Sequence, residues 1–223
     1  FADTFEELVT GQMRETIGAG EANAVEHYTA VIREKTAVLI ASAGYLGAYH
    51  SGASAEHAAA LHRIGGAIGM IFQIVDDVID IFSDPKESGK TPGTDLREGV
   101  DTMPVLLLRQ ALADGELDAA GQSILSTLST GDLADDAVLA DVVDRFRVHP
   151  VLERTRAMAT QWAHEAVAVL AGLEDAVVAG TRERLAGCEE TVVDAAVADV
   201  RERVVLVREG MEEFARVLVD RAA

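Results

Sequence analysis

Apolar positions along the chain recur at helical rather than strand spacing. Phe5, Leu8, Val9 and Met13 fall on one side of a helix expected over residues 2–16, ending near Gly18 and Gly20. Asn23, with Glu26 three residues on, forms a capping-box pattern ahead of a helix over 25–49 that carries Val31, Ile32, Val38, Leu39, Tyr45 and Leu46. Its second half is rich in Ala37, Ala41, Ser42, Ala43, Gly44 and Gly47, small residues that let two backbones come close. Gly52 breaks it, and Ser54 caps a third helix over 55–82, stopped by Ser83, Asp84 and Pro85. Residues 84–99 turn polar, with Pro, Gly, Ser, Thr, Lys and Asp, and predict a functional loop. Beyond Pro104, the stretches 105–113, 116–128, 134–146 and 151–171 read as amphipathic helices, and the charged, Val-rich remainder from Glu174 as one or two more. Period-2 alternation is scarce, and so is Pro. The pattern predicts an all-α fold with an aliphatic core, one helical domain over residues 1–223.

The helix over 55–82 carries a polar stripe that does not suit its surroundings. Asp76 and Asp80 are four apart, Asp77 and Asp80 three apart, and Gln73 lies one turn earlier on the same side. Ile71, Phe72, Ile74, Val75, Val78, Ile79, Ile81 and Phe82 fill the other faces. A helix apolar on nearly every side is a buried one, and an uncompensated buried carboxylate is costly. Either protein cations neutralise the three aspartates, or they line a wet cavity and hold metal. Lys90 is the nearest downstream base and lies past a loop, so the local sequence favours a divalent metal.

The formal charge of −19 argues against a nucleic-acid partner, and an anionic substrate would need cations as intermediaries. A single cysteine, Cys188, excludes an internal disulfide, reads as an inert core residue, and suits a reducing cytoplasm. No charge-free apolar run is long enough to span a bilayer; the segment from Ile64 to Phe82 comes closest and is interrupted by its aspartates. The six histidines show no metal spacing, and the Glu-x-x-His pairs of di-iron bundles are absent.

Carboxylates at helical spacing bind Mg²⁺ through one or two oxygens each, leaving its other positions to water and substrate phosphates. That division of labour suits an acidic protein that binds diphosphate. Lys35, Thr36, Gln73 and Lys90 supply two ammonium groups, a hydroxyl and an amide as direct donors. Taken singly, each feature has a plainer reading: a solvated helix face for the aspartates, a surface lysine beside a helix threonine for Lys35 and Thr36, an ordinary loop lysine for Lys90, and helix-to-helix hydrogen bonding for Gln12 and Glu15.

Together these residues resemble the trans-isoprenyl diphosphate synthases, or polyprenyl synthetases. Phe72-Gln73-x-x-Asp76-Asp77-x-x-Asp80 is similar to that family's second aspartate-rich motif. Gly89-Lys90, Gly93-Thr94-Asp95-Leu96 and Thr102-x-Pro104 follow in family order, and Gly11-Gln12-x-x-Glu15 and Lys35-Thr36 match two upstream motifs. The resemblance implies an isoprenoid-synthase-type helical bundle around a central cavity, of which this chain is the carboxy-terminal two-thirds, a partial polyprenyl synthetase domain, usually found as a homodimer. It implies condensation of isopentenyl diphosphate with an allylic diphosphate to a linear polyprenyl diphosphate by Mg²⁺-assisted ionisation, with the diphosphate as final base. On this resemblance Asp76, Asp77 and Asp80 serve the metal, Asp77 and Asp80 as ligands or as holders behind it. Lys35, Thr36, Gln73 and Lys90 hold the allylic diphosphate, with Gln12 among the substrate-binding residues and Lys35, Asp76 and Lys90 as the catalytic set.

The chain departs from the family pattern in several places. The first aspartate-rich motif, its adjacent arginines and the upstream isopentenyl diphosphate segment are not found in these residues, and the expectation is that an amino-terminal portion of the natural protein precedes Phe1. Glu15 stands where the family usually has Asp, and Val100 where many members have a second lysine. A non-catalytic subunit of a heteromeric synthase is the alternative reading. A class I terpene cyclase fits less well, because Asp76, Asp80 and Asp84 match the usual cyclase metal motif poorly.

Overall fold

The structure, a computed structural model, describes residues 1–82 and 91–220, and of Glu174 only the backbone. Helix α1 is Ala2–Ile17. Asn23 starts α2 (Ala24–Ile32) by accepting from the N–H groups of Val25 at 2.9 Å and Glu26 at 3.1 Å, a cap whose removal typically costs about 1 kcal/mol. The helix continues without a break through a π-helical turn, Arg33–Ala37, into α3 (Val38–His50). The helix expected over 25–49 is therefore right in extent but holds one wider turn. Apolar spacing does not register such a turn, because it adds only a local offset.

Ser54 opens α4 (Ala55–Phe82), its Oγ accepting from the His57 N–H at 3.2 Å. A short helix α5 (Thr94–Glu98) stands within the expected loop; the stop signals Ser83, Asp84 and Pro85 lie outside the described residues. Helices α6 (Met103–Ala113), α7 (Ala119–Thr130) and α8 (Asp136–Arg147) follow. The last two begin later than apolar spacing predicts, because Asp118 and Asp135 act as N-caps, accepting at 2.7 Å from Gly121 and Ala137 respectively. Helix α9 (Val151–Arg184) runs straight through Gly172 instead of ending there. One interior glycine costs about 1 kcal/mol relative to alanine, less than the packing of α9 along α4 and α10 returns. The tail is a single helix, α10 (Glu190–Asp220). Among the described residues no strand is present, in keeping with the all-α expectation.

Helix α4 is the axis of the fold, packed chiefly against α3 and α9, with α10 folded back on α9. Its Met70, Ile71, Ile74, Val78 and Ile81 meet Met103 and Leu108 of α6, Ile124 of α7, Val142 and Phe146 of α8, and Leu152 of α9 in one core. Helix α4 touches α3 and the last residue of the π turn through backbone. A Cβ on Gly65 would stand 2.5 Å from the Ile40 carbonyl oxygen, and one on Gly69 would overlap the Cα of Ala37. Neither neighbour is a side chain that could swing aside. Gly69→Ala is therefore expected to cost about 1–3 kcal/mol in urea denaturation; a loss of only a few tenths would mean that the π turn and α4 separate freely.

Cys188 is exposed, not in the core. It sits in the turn between α9 and α10, where no helix face covers it. No helix among the described residues is long and apolar enough to cross a membrane.

Candidate active site

The aspartates of α4 do not share one environment. Successive helix residues point about 100° apart, so Asp76 and Asp77 cannot face the same way. Asp76 is exposed, Asp80 half-buried, and Asp77 2% exposed. Phe72 is likewise turned outward, 49% exposed. The expectation of three buried carboxylates holds for Asp77 alone.

Asp77 is enclosed by protein donors from three helices. The Tyr28 hydroxyl on α2 lies 3.0 Å from Oδ1 and 2.9 Å from Oδ2, the Met103 N–H at the start of α6 donates to Oδ2 at 3.1 Å, and Gln73 Nε2 reaches Oδ1 at 3.4 Å. Burial pushes the Asp77 carboxyl up to about 7, against the pull of the Met103, Tyr28 and Gln73 hydrogen bonds and with the charge of Asp95 adding to it. The same burial, with the Asp77 charge beside it, drives the Tyr28 hydroxyl well above its ordinary value.

Asp80 is held from the other side of the loop. Its Oδ2 accepts from the Asp95 N–H at 3.2 Å, and its carbonyl accepts from the Gly93 N–H at 2.7 Å, so the start of α5 folds back onto the end of α4. Burial, and then the charge of Asp95, push Asp80 up to about 6; backbone donors from Asp95 and Thr94 oppose this and the charge of Asp76 adds to it. Asp80 thus lies in the fields of both Asp95 and Asp76. At the end of α4, the Arg147 Nε donates to the Ile81 carbonyl at 3.2 Å.

The expected phosphate donors come from the π turn. Thr36 Oγ1 donates to Gln73 Oε1 at 3.1 Å, which joins the turn to the aspartate helix. Lys35 points to α1 instead: its Nζ lies 2.6 Å from Glu15 Oε2, which also accepts from Gln12 Nε2 at 3.1 Å. Helix α1 reaches that position because Gly11 rides on the turn, where a Cβ would stand 2.7 Å from the Glu34 Cβ and 2.9 Å from the Lys35 nitrogen. Arg14 adds a two-pronged bond to Glu34 at 2.8 and 2.9 Å. Gln12 is therefore placed with Lys35 and Glu15, and Thr36 with Gln73 and Asp77. Lys90 and Gly89 lie outside the described residues.

One turn from the Thr36–Gln73 contact begins a groove of about 850 Å³, with Ala37, Val38, Ala41, Ala67, Met70 and Trp162 along it and the Arg33 guanidinium 5.8 Å from the centre of the Trp162 ring. Charged and imidazole side chains, Glu7, Glu56, His57, Arg63 and Glu165 among them, also line the groove.

Whether the residues fit a divalent metal can be judged from their chemistry. Among the described residues no three carboxylates or imidazoles form a ready cage. What the site offers is oxygen donors only, an exposed Asp76 near a half-buried Asp80 whose proton affinity is raised by burial and then by neighbouring negative charge. That set suits a hard cation that takes one or two carboxylate oxygens and completes its shell from water and phosphate.

A polyprenyl synthetase family profile matches residues 1–137, more than half of the chain. The chain belongs to the polyprenyl synthetase family. It is 45% identical over 192 residues to a nonaprenyl diphosphate synthase of Mycobacterium tuberculosis, a match covering 86% of this chain and 55% of the relative. A dimethylallyltranstransferase of the same organism is 38% identical over 176 residues, 78% of this chain and 51% of the relative. Among solved structures, a geranylgeranyl pyrophosphate synthase from Corynebacterium glutamicum, complexed with calcium and isoprenyl diphosphate, superimposes with a TM-score of 0.73 at 42% identity, covering all of this chain and 59% of that one. The chain spans about half the length of the curated relatives it matches.

Sequence reasoning passed over Tyr28 and the Met103 N–H, the two donors that reach Asp77 from other helices. A signal for the first was present: a buried carboxylate needs donors, and Tyr28 lies two turns ahead of Lys35-Thr36 on the same helical segment.

Proposed function

We propose that this chain carries the allylic-diphosphate half of a trans-prenyltransferase that condenses isopentenyl diphosphate with an allylic diphosphate to a linear polyprenyl diphosphate. The observation that carries this reading is the meeting of Thr36 with Gln73, which sets the Lys35-Thr36 turn against the aspartate helix. On the motif resemblance, this meeting would join diphosphate donors to carboxylates suited to a divalent cation.

On this reading Asp76 and Asp80 hold Mg²⁺, and Asp77, whose oxygens face protein donors, holds its neighbours in place. The metal, when bound, neutralises negative charge on the diphosphate. The Lys35 ammonium, Thr36 hydroxyl and Gln73 amide bind and orient that diphosphate, and Lys90 adds a second ammonium. These groups favour departure of the diphosphate because its charge grows as the C–O bond opens and positive and hydrogen-bonding groups offset it; the Lys35 ammonium, paired with Glu15 in this structure, would exchange that carboxylate for the diphosphate. The small, apolar side chains of the groove beside Met70 suit the hydrocarbon part of the substrate. The lone thiol Cys188 accords with a cytoplasmic enzyme. The apolar stripe Phe5, Val9, Met13 and Ile17, exposed along α1, supports a homodimer.

The test is incorporation of labelled isopentenyl diphosphate with allylic primers of increasing length, with Mg²⁺ and with EDTA. Metal-dependent product is expected from the protein that contains this chain. Absence of product with every primer, in a protein shown to be folded, would remove the assignment.

A further inference from the structure

With Asp77 ionised, the hydrogen bonds of Gln73 have only one consistent direction. Thr36 Oγ1 can donate to Gln73 Oε1 only if that oxygen faces the π turn, and Nε2 then faces Asp77 Oδ1. Reversing the amide would set its oxygen against a carboxylate, lone pairs against lone pairs. Asp77 therefore selects the amide orientation. In turn, Asp77 is held by the Tyr28 hydroxyl, 3.0 and 2.9 Å from its two oxygens, and by the Met103 N–H at 3.1 Å. Met103 contributes a backbone group fixed by the start of α6. Tyr28 is the side chain in this chain of contacts that touches none of the groups proposed for metal or diphosphate except through Asp77.

We propose that Tyr28 is a positioning residue of the diphosphate site, fixing Asp77 so that the Gln73 amide, its oxygen held by the Thr36 hydroxyl, presents its remaining N–H in one arrangement toward the ligand. The inference rests on the diphosphate reading above and names a residue that reading does not use. Without the hydroxyl, Asp77 keeps Met103 as its fixed donor but gains freedom to turn, and Gln73 loses the partner that set its direction. Two ties run between the α2–π-turn segment and α4, Tyr28 to Asp77 and Thr36 to Gln73, and the Gln73–Asp77 bond joins them. Loss at Tyr28 should therefore be felt at Gln73 before it is felt anywhere in the core.

The experiment titrates inorganic diphosphate with MgCl₂ into the protein by calorimetry, for the parent, Tyr28→Phe, Gln73→Ala and the double variant. Tyr28→Phe keeps the ring and removes the hydroxyl. It is expected to weaken diphosphate binding by about tenfold, the scale of one hydrogen bond, and by less than about twofold when Gln73 is already Ala. In metal-free protein, the Gln73 side-chain amide resonance is expected to shift in Tyr28→Phe. Equal losses in both backgrounds, or an affinity unchanged by Tyr28→Phe while Gln73→Ala weakens it, overturn the positioning role and leave the diphosphate reading standing. No binding by the folded parent overturns both. Should Tyr28→Phe fail to fold, Asp77→Asn carries the same test: a loss that disappears in the Gln73→Ala background supports the relay, and one that persists sinks it.

Discussion

Asp76→Ala is expected to lower prenyl transfer by roughly 100- to 1,000-fold while the protein stays folded. Asp76 is exposed on the outer side of α4, so truncation removes no core packing, and the stability change should stay within about 0.5 kcal/mol. The expected defect is in charge stabilisation: without Asp76 a divalent cation has only Asp80 from this stripe, itself shared with the Asp95 N–H. Steady-state kinetics with saturating Mg²⁺, alongside a thermal melt, separate the two effects. Near-normal turnover would remove Asp76 from the metal site, and a collapsed melt would show that its part is structural.

Much of this arrangement is legible from residue types alone. Small residues over 37–47 announce a close helix pair, and Gly65 and Gly69 sit opposite them with backbone in contact. The all-apolar flanks of Asp76–Asp80 announce a carboxylate needing partners, and Asp77 has four contacts from Tyr28, Gln73 and Met103. What the pattern cannot resolve is how neighbouring residues divide. Spacing treats Asp76, Asp77 and Asp80 as one stripe, yet a 100° step is enough to place Asp77 in the core and Asp76 in water. Nor does spacing reveal the π turn at Arg33–Ala37, which sends Lys35 toward Glu15 on α1 and Thr36 toward Gln73 on α4. Tyr28 escaped because its role depends on α2 meeting α4 across 49 residues of chain. Helix starts at α7 and α8 shifted for a local reason that residue type does carry, since Asp118 and Asp135 are cap residues hidden by the apolar positions around them.

Asp77→Ala should produce the largest loss of stability of any change in the site, about 2–5 kcal/mol, because it leaves the enclosed Tyr28 hydroxyl and Met103 N–H without their acceptor at about 1–3 kcal/mol each. Asp77→Asn keeps the volume and one acceptor oxygen and should cost much less. The pair also has a pH signature. The folded-state value of Asp77 lies near 7, above the ordinary carboxylate value of about 4, so between these limits the folded protein binds the extra proton. The stability that this proton provides is fully present below about pH 4 and is lost as pH rises toward 7, with no further change above it. Asp80, raised to about 6, adds a slope of the same sign over a narrower window. Urea unfolding in EDTA from pH 4 to 8 should therefore show the parent losing stability with rising pH faster than Asp77→Asn, the difference ending near pH 7. Parallel curves would mean that Asp77 is ionised throughout, and that its three donors outweigh its burial.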